Sequence, residues 1–85
     1  MQYYSDKQRH VVCIPYSIPN LHAMAQALGI KRSWYHIHPY PHYDIPKYLQ
    51  QHVADHSFVV SPKRILEIVK GNGEYTDARQ IQQRN

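Results

Sequence analysis

The sequence predicts an α/β fold, a small three-stranded parallel sheet in β-α-β-α-β-α order with flanking helices. Three observations lead there. Short β-branched or aromatic runs at Val11–Ile14, Ser33–His38 and Ser57–Val60 alternate with stretches of helical spacing. A serine or aspartate followed within two residues by proline opens each helical stretch: Ser17 with Pro19, Asp44 with Pro46, Ser61 with Pro62. The connections are short, as expected of right-handed crossovers between neighbouring strands. No repeat recurs along the chain, which excludes a solenoid.

Met1 to Arg9 is polar apart from Met1, Tyr3 and Tyr4 and reads as an irregular lead-in. Val11-Val-Cys-Ile14 is the first strand, stopped by Pro15. In the first helix Leu21, Met24, Ala25 and Leu28 recur at i, i+3, i+4 and i+7, one buried face, and Gly29 closes it. The second strand, Ser33 to His38, has a side-chain period of two, so Trp34, His36 and His38 point one way. Asp44 is expected to cap a second helix ending near Asp55. Ser57–Val60 is the third strand. Ser61-Pro62 starts a third helix with Ile65, Leu66 and Val69 inward and Gly71 at its end. Residues 1–71 thus form one domain, and 72–85 a polar, glutamine-rich tail.

Composition narrows the function classes. The 85 residues are 42% hydrophobic and 19% charged, the balance of a folded domain with a small core that oligomerisation would help. The formal net charge is +4 and the pI about 9.3, with basic residues scattered rather than in one run. That favours phosphate-bearing small molecules, with nucleic acid a weaker expectation. Cys13 is the sole cysteine, so no internal disulfide or thiolate zinc site can form, and a cytoplasmic setting is expected. There is no signal peptide and no apolar run of about 18 residues, so no membrane partner is expected.

The densest chemistry lies in Ser33–Asp44, where His36, His38 and His42 fall within seven residues, with Tyr43 and Asp44 following. In an open parallel sheet, ligands bind beyond the carboxyl ends of the strands, where helix N-termini present unpaired amides. The expected rim holds the caps Ser17, Asp44 and Ser61, the histidines His22, His36, His38 and His42, the rings of Trp34 and Tyr43, and Lys63 and Arg64. Two imidazoles near a phosphodiester can serve as general base and general acid. The catalytic candidates are therefore His36, His38, His42 and Asp44, with Ser17, His22, Trp34, Tyr43, Ser61, Lys63 and Arg64 as ligand-binding residues. No cofactor is required, although zinc or manganese on His36, His38 and His42 is compatible with the spacing. Plainer roles stand beside these: half-exposed loop histidines, wall aromatics and a solvated first helical turn. No nucleophile elbow, P-loop or dinucleotide fingerprint occurs.

Several blocks resemble a family of small bacterial and phage proteins known as domain of unknown function 4031. They are Leu21-His22-x-x-Ala25-x-x-Leu28-Gly29-Ile30, Arg32-x-Trp34-x-His36, His42-Tyr43-Asp44-Ile45-Pro46 and Val60-Ser61, and Tyr4-Ser5-Asp6 matches a Tyr-x-Asp start. The likeness spans roughly residues 3 to 70 and favours His22, His36, His42, Tyr43 and Asp44 as its site. Its occurrence in phages implies interference with host defence through nucleotide signals. The expected function is a histidine-dependent phosphodiesterase acting on a signalling, cyclic nucleotide. The alternatives are a protein that sequesters such a nucleotide without turnover and a nucleic-acid or protein-interaction adaptor.

Overall fold

The computed structural model describes residues 1–71, so the tail expected over 72–85 lies outside the described residues. Five strands form one sheet: β1 (Gln2–Ser5), β2 (His10–Ile14), β3 (Tyr35–His36), β4 (His42–Asp44) and β5 (Phe58–Val59). Their order across the sheet is β3-β4-β2-β1-β5. Only β1 and β5 pair in parallel, and the other three pairings are antiparallel. The helices are α1 (Ile18–Leu28), α2 (Gln50–Asp55) and α3 (Pro62–Val69), with short 3-10 turns at Arg32–Trp34 and Lys47–Leu49.

The three-stranded parallel sheet expected from sequence is therefore wrong, and connection length explains why. A parallel pairing needs a crossover of about a dozen residues or more. Only Asp6–Arg9 separates β1 from β2, and only residues 37–41 separate β3 from β4. Both pairs must turn back on themselves. The supposed lead-in Met1–Arg9 contains β1 and the turn of a hairpin, in which Asp6 N donates to His10 O and Arg9 N to Asp6 O. Arg9 takes a left-handed φ of 71°, which lets this four-residue connection turn back tightly.

β2 is the centre of the sheet. Its consecutive apolar residues Val11, Val12, Cys13 and Ile14 are all buried, because both faces are covered. Tyr43 and Val11 share one face, where α1 lies: His22 on that helix bonds Tyr43. α2 joins α1 there, with His52 Nε2 donating to Leu28 O. α3 packs mainly on β2 and contributes fully buried Ile65 and Ile68. Val12 and Ile14 are buried on the other face, which leaves α3 as their helical cover.

One helix begins and ends as its sequence predicts, and another begins so but is capped by Lys70, one residue before the expected Gly71. Ser17 Oγ accepts from Asn20 N at 3.2 Å, Leu21, Met24, Ala25 and Leu28 face inward, and Gly29 adopts φ 75°. Ser61 Oγ accepts from Arg64 N at 3.1 Å, but the inner face of α3 is Ile65, Ile68 and Val69, with Leu66 exposed. Asp44 does not cap α2. It ends β4, and the chain passes through Ile45-Pro46 and a 3-10 turn before α2 starts. Ser33–His38 forms a turn through Trp34 followed by two strand residues, so the alternation expected to reach His38 stops at His36. No described helix is long and apolar enough to cross a membrane.

Candidate functional site

β4 places two chemical groups on one face, because His42 and Asp44 are two residues apart on a strand. Antiparallel register then adds one histidine from each neighbour: His36 stands opposite His42, and His10 opposite Asp44. Paired residues of antiparallel strands project to the same side. The result is three imidazoles around one carboxylate. His42 Nε2 lies 3.2 Å and His10 Nε2 3.8 Å from Asp44 Oδ1, and His36 Nε2 lies 3.5 Å from Asp44 Oδ2. The His36 and His42 rings stack at 5.6 Å, and His10 meets His42 edge-on at 5.4 Å.

Two of the three rings are locked from behind. Asp6, 3% exposed, accepts from Gln8 N and His10 N with Oδ1 and faces His10 Nδ1 at 2.9 Å with Oδ2. His42 Nδ1 sits 2.6 Å from Tyr40 O. A carbonyl and an ionised carboxylate can only accept, so both Nδ1 atoms carry the hydrogen and each Nε2 is directed at Asp44. His42 is nearly buried, whereas the side chains of His36 and Asp44 are 51% and 42% exposed. The cluster thus has a fixed floor and an open side. The Tyr40 ring packs on His42 at 4.8 Å. Burial first, then the Asp6 and Asp44 carboxylates, push the Tyr40 hydroxyl above its ordinary pKa, so it stays a proton donor. Donor atoms of His10, His42 and Asp44 all lie within 4.8 Å of one another, a span that one metal ion could bridge.

Of the residues chosen from sequence, the structure gathers His36, His42 and Asp44. His38 stands apart, exposed in the loop after β3 beside a hollow shared with Tyr16, Ile37, Tyr40 and Val69. It makes no hydrogen bond, ion pair or ring contact among the described residues, so the set His36, His38 and His42 is not assembled as a ligand set. His22 and Tyr43 meet on the opposite face of the sheet. The Tyr43 hydroxyl is 2.8 Å from His22 Nδ1, and Tyr35 packs edge-on to His22 at 4.7 Å. Desolvation and then Arg32 hold His22 below its usual pKa, while burial holds the Tyr43 phenol above its own. The neutral imidazole and the neutral phenol thus share one hydrogen bond. A hollow of about 330 Å³ beside it is lined by His22, Ala25, Gln26, Ile30, Arg32 and Tyr43.

Trp34 is a wall residue, meeting Tyr48 edge-on at 6.5 Å with Lys31 Nζ 5.5 Å from its ring. Ser17 follows β2, whose far end, His10, holds the cluster. Ser61, Lys63 and Arg64 follow β5, separated from β2 by β1, and Arg64 instead faces Glu67 at 3.6 Å. A shared carboxyl rim does not exist because β2 and β4 run in opposite directions. Sequence reasoning missed His10 as a site residue and Asp6 as its support. The signal available was the Tyr4-Ser5-Asp6 start followed four residues later by a histidine.

No curated protein and no solved structure matches the chain. A family described as "Protein of unknown function (DUF4031)" matches residues 7–72, which cover His10, His36, His42 and Asp44, and the chain belongs to that family.

Proposed function

We propose that the chain is a hydrolase that cleaves a phosphodiester in a nucleotide-type ligand at the His10–His36–His42–Asp44 cluster. The observation that supports it most is the convergence of three imidazole Nε2 atoms on one half-exposed carboxylate. Hydrolysis at phosphorus needs a proton removed from the attacking water and a proton delivered to the leaving oxygen as the P–O bond breaks. His36 is the ring suited to that exchange, since it is half-exposed and is not tied down through Nδ1. Asp44 orients it, and the protonated Tyr40 hydroxyl can donate to a phosphate oxygen. The excess of basic residues, +4 overall, favours an anionic substrate.

The test is incubation with a panel of cyclic mononucleotides, cyclic dinucleotides and a chromogenic phosphodiester, with chromatography before and after heat denaturation. Irreversible loss of one ligand is expected, with His36→Gln slowing turnover by about a hundredfold or more and His38→Gln leaving it unchanged. Intact ligand recovered after heating would instead mean sequestration.

A further inference from the structure

We infer that His10, His42 and Asp44 are the protein ligands of one divalent transition-metal ion, with Asp6 and the Tyr40 carbonyl holding the two rings. The inference deepens the reading of the same site but stands on its geometry alone, and it requires no turnover.

The hydrogen-bond pattern is the first argument. With both Nδ1 hydrogens committed to Asp6 and to Tyr40 O, the neutral forms of His10 and His42 present bare lone pairs at Nε2. Both lone pairs face Asp44 Oδ1, itself an acceptor. Three acceptors directed at one another repel unless a proton or a metal cation lies between them, and this arrangement offers a cation three lone pairs at once. The distances are the second argument. Zinc binds imidazole nitrogen and carboxylate oxygen at roughly 2.0–2.2 Å, so neighbouring ligands in a tetrahedron sit about 3.3 Å apart. The 3.2 Å and 3.8 Å separations from Asp44 Oδ1 are close to that edge.

The support behind the ligands is the third argument. A metal-binding histidine typically donates its other ring N–H to a carboxylate or a backbone carbonyl, which fixes its tautomer and strengthens it as a donor. Here one ring has each kind of partner, and the carboxylate is buried and further pinned by two backbone amides. Two nitrogens and one oxygen suit zinc, iron(II), cobalt(II) or manganese(II) rather than calcium or magnesium, which prefer oxygen. The exposed side of Asp44 leaves room for water or a substrate oxygen. His36 Nε2 approaches the other oxygen, Asp44 Oδ2, and so is placed to position the carboxylate.

The experiment uses the full chain without a histidine tag, stripped with EDTA and dialysed. Zinc is titrated by calorimetry and cobalt by visible absorption. One equivalent should bind saturably, with cobalt giving the intense bands of a low-coordinate nitrogen and oxygen site. His42→Ala and Asp44→Asn should each weaken binding by about a hundredfold or more, and Asp6→Asn by about ten- to a hundredfold. His38→Gln and the pair His52→Gln/His56→Gln should bind as the parent does. Circular dichroism checks folding, and Asp44→Asn, whose side chain is half-exposed, serves if His42→Ala does not fold. Absence of saturable binding, binding indifferent to Asp44→Asn, or binding lost in the His52/His56 variant would each overturn the proposal. The two readings fail separately. Phosphodiester cleavage by a chain that binds no metal saturably removes the metal centre and leaves the hydrolase, whereas tight metal binding without cleavage of any ligand does the reverse.

Discussion

Asp6 does two jobs with one carboxylate. Oδ1 accepts the amides of Gln8 and His10, shaping the hairpin turn, while Oδ2 aims the His10 ring at Asp44. A turn residue and a site residue are thus the same atom set. On the other face of the sheet, the His22–Tyr43 bond has a different logic. Burial, then Arg32, keep His22 below the ordinary value of 6.5. An unfolded chain would therefore bind a proton that the folded chain refuses, so this contribution is present above about pH 6.5 and is lost as the pH falls below it. Melting temperatures of EDTA-treated protein should drop between pH 7.5 and 5.5, and His22→Gln should flatten part of that drop. The same slope in parent and variant would show that His22 titrates alike in both states. The remaining histidines are the same in both proteins, so the difference between the two profiles isolates this one.

The strand β4 is three residues long, yet it divides two chemistries between the faces of the sheet. His42 and Asp44 look into the cluster, and Tyr43 looks into the core, fully buried under α1. A one-residue slip in register would exchange those faces, and the pairings of His36 with His42 and His10 with Asp44 prevent it. The helix α1 is a simpler case. Its end depends on Gly29 at φ 75°, and a Cβ placed there meets nothing within 4 Å. The cost of Gly29→Ala is therefore conformational rather than steric. It should lower stability by about 1 kcal/mol in urea unfolding, with Gly29→Asn costing less because asparagine tolerates the left-handed region. A Gly29→Ala variant as stable as the parent would show that the left-handed cap contributes nothing.

At the scale of the whole molecule, the buried centre of β2 makes Cys13 a reporter of global opening. Burial pushes its thiol up to about 11, against a smaller opposing effect from the Ser17 backbone. At pH 8 only about one thiol in a thousand is then ionised, and the sulfur is fully shielded. Alkylation of the native chain should run at least about a hundredfold slower than in denaturant, and core-loosening variants should speed it. Rapid native labelling would contradict a sealed core. Much of this body was legible in the residues themselves. The α1 face and both its caps, the Ser61 start of α3, the β2 run, and the chemistry of His36, His42 and Asp44 follow from local spacing, capping and residue type. What local pattern cannot carry is pairing. β1 reads as loop because its only aromatic residues, Tyr3 and Tyr4, are adjacent and flanked by polar Gln2 and Ser5, and it becomes a strand only through its hairpin with β2. Likewise, nothing between residues 10 and 44 announces that their side chains meet. The chain by itself determined which residues can bind protons, metals or anions, since that is covalent chemistry. Only the tertiary structure decided which of them share a site, because antiparallel register brings His10 to Asp44 and places His22 on the far side of the sheet.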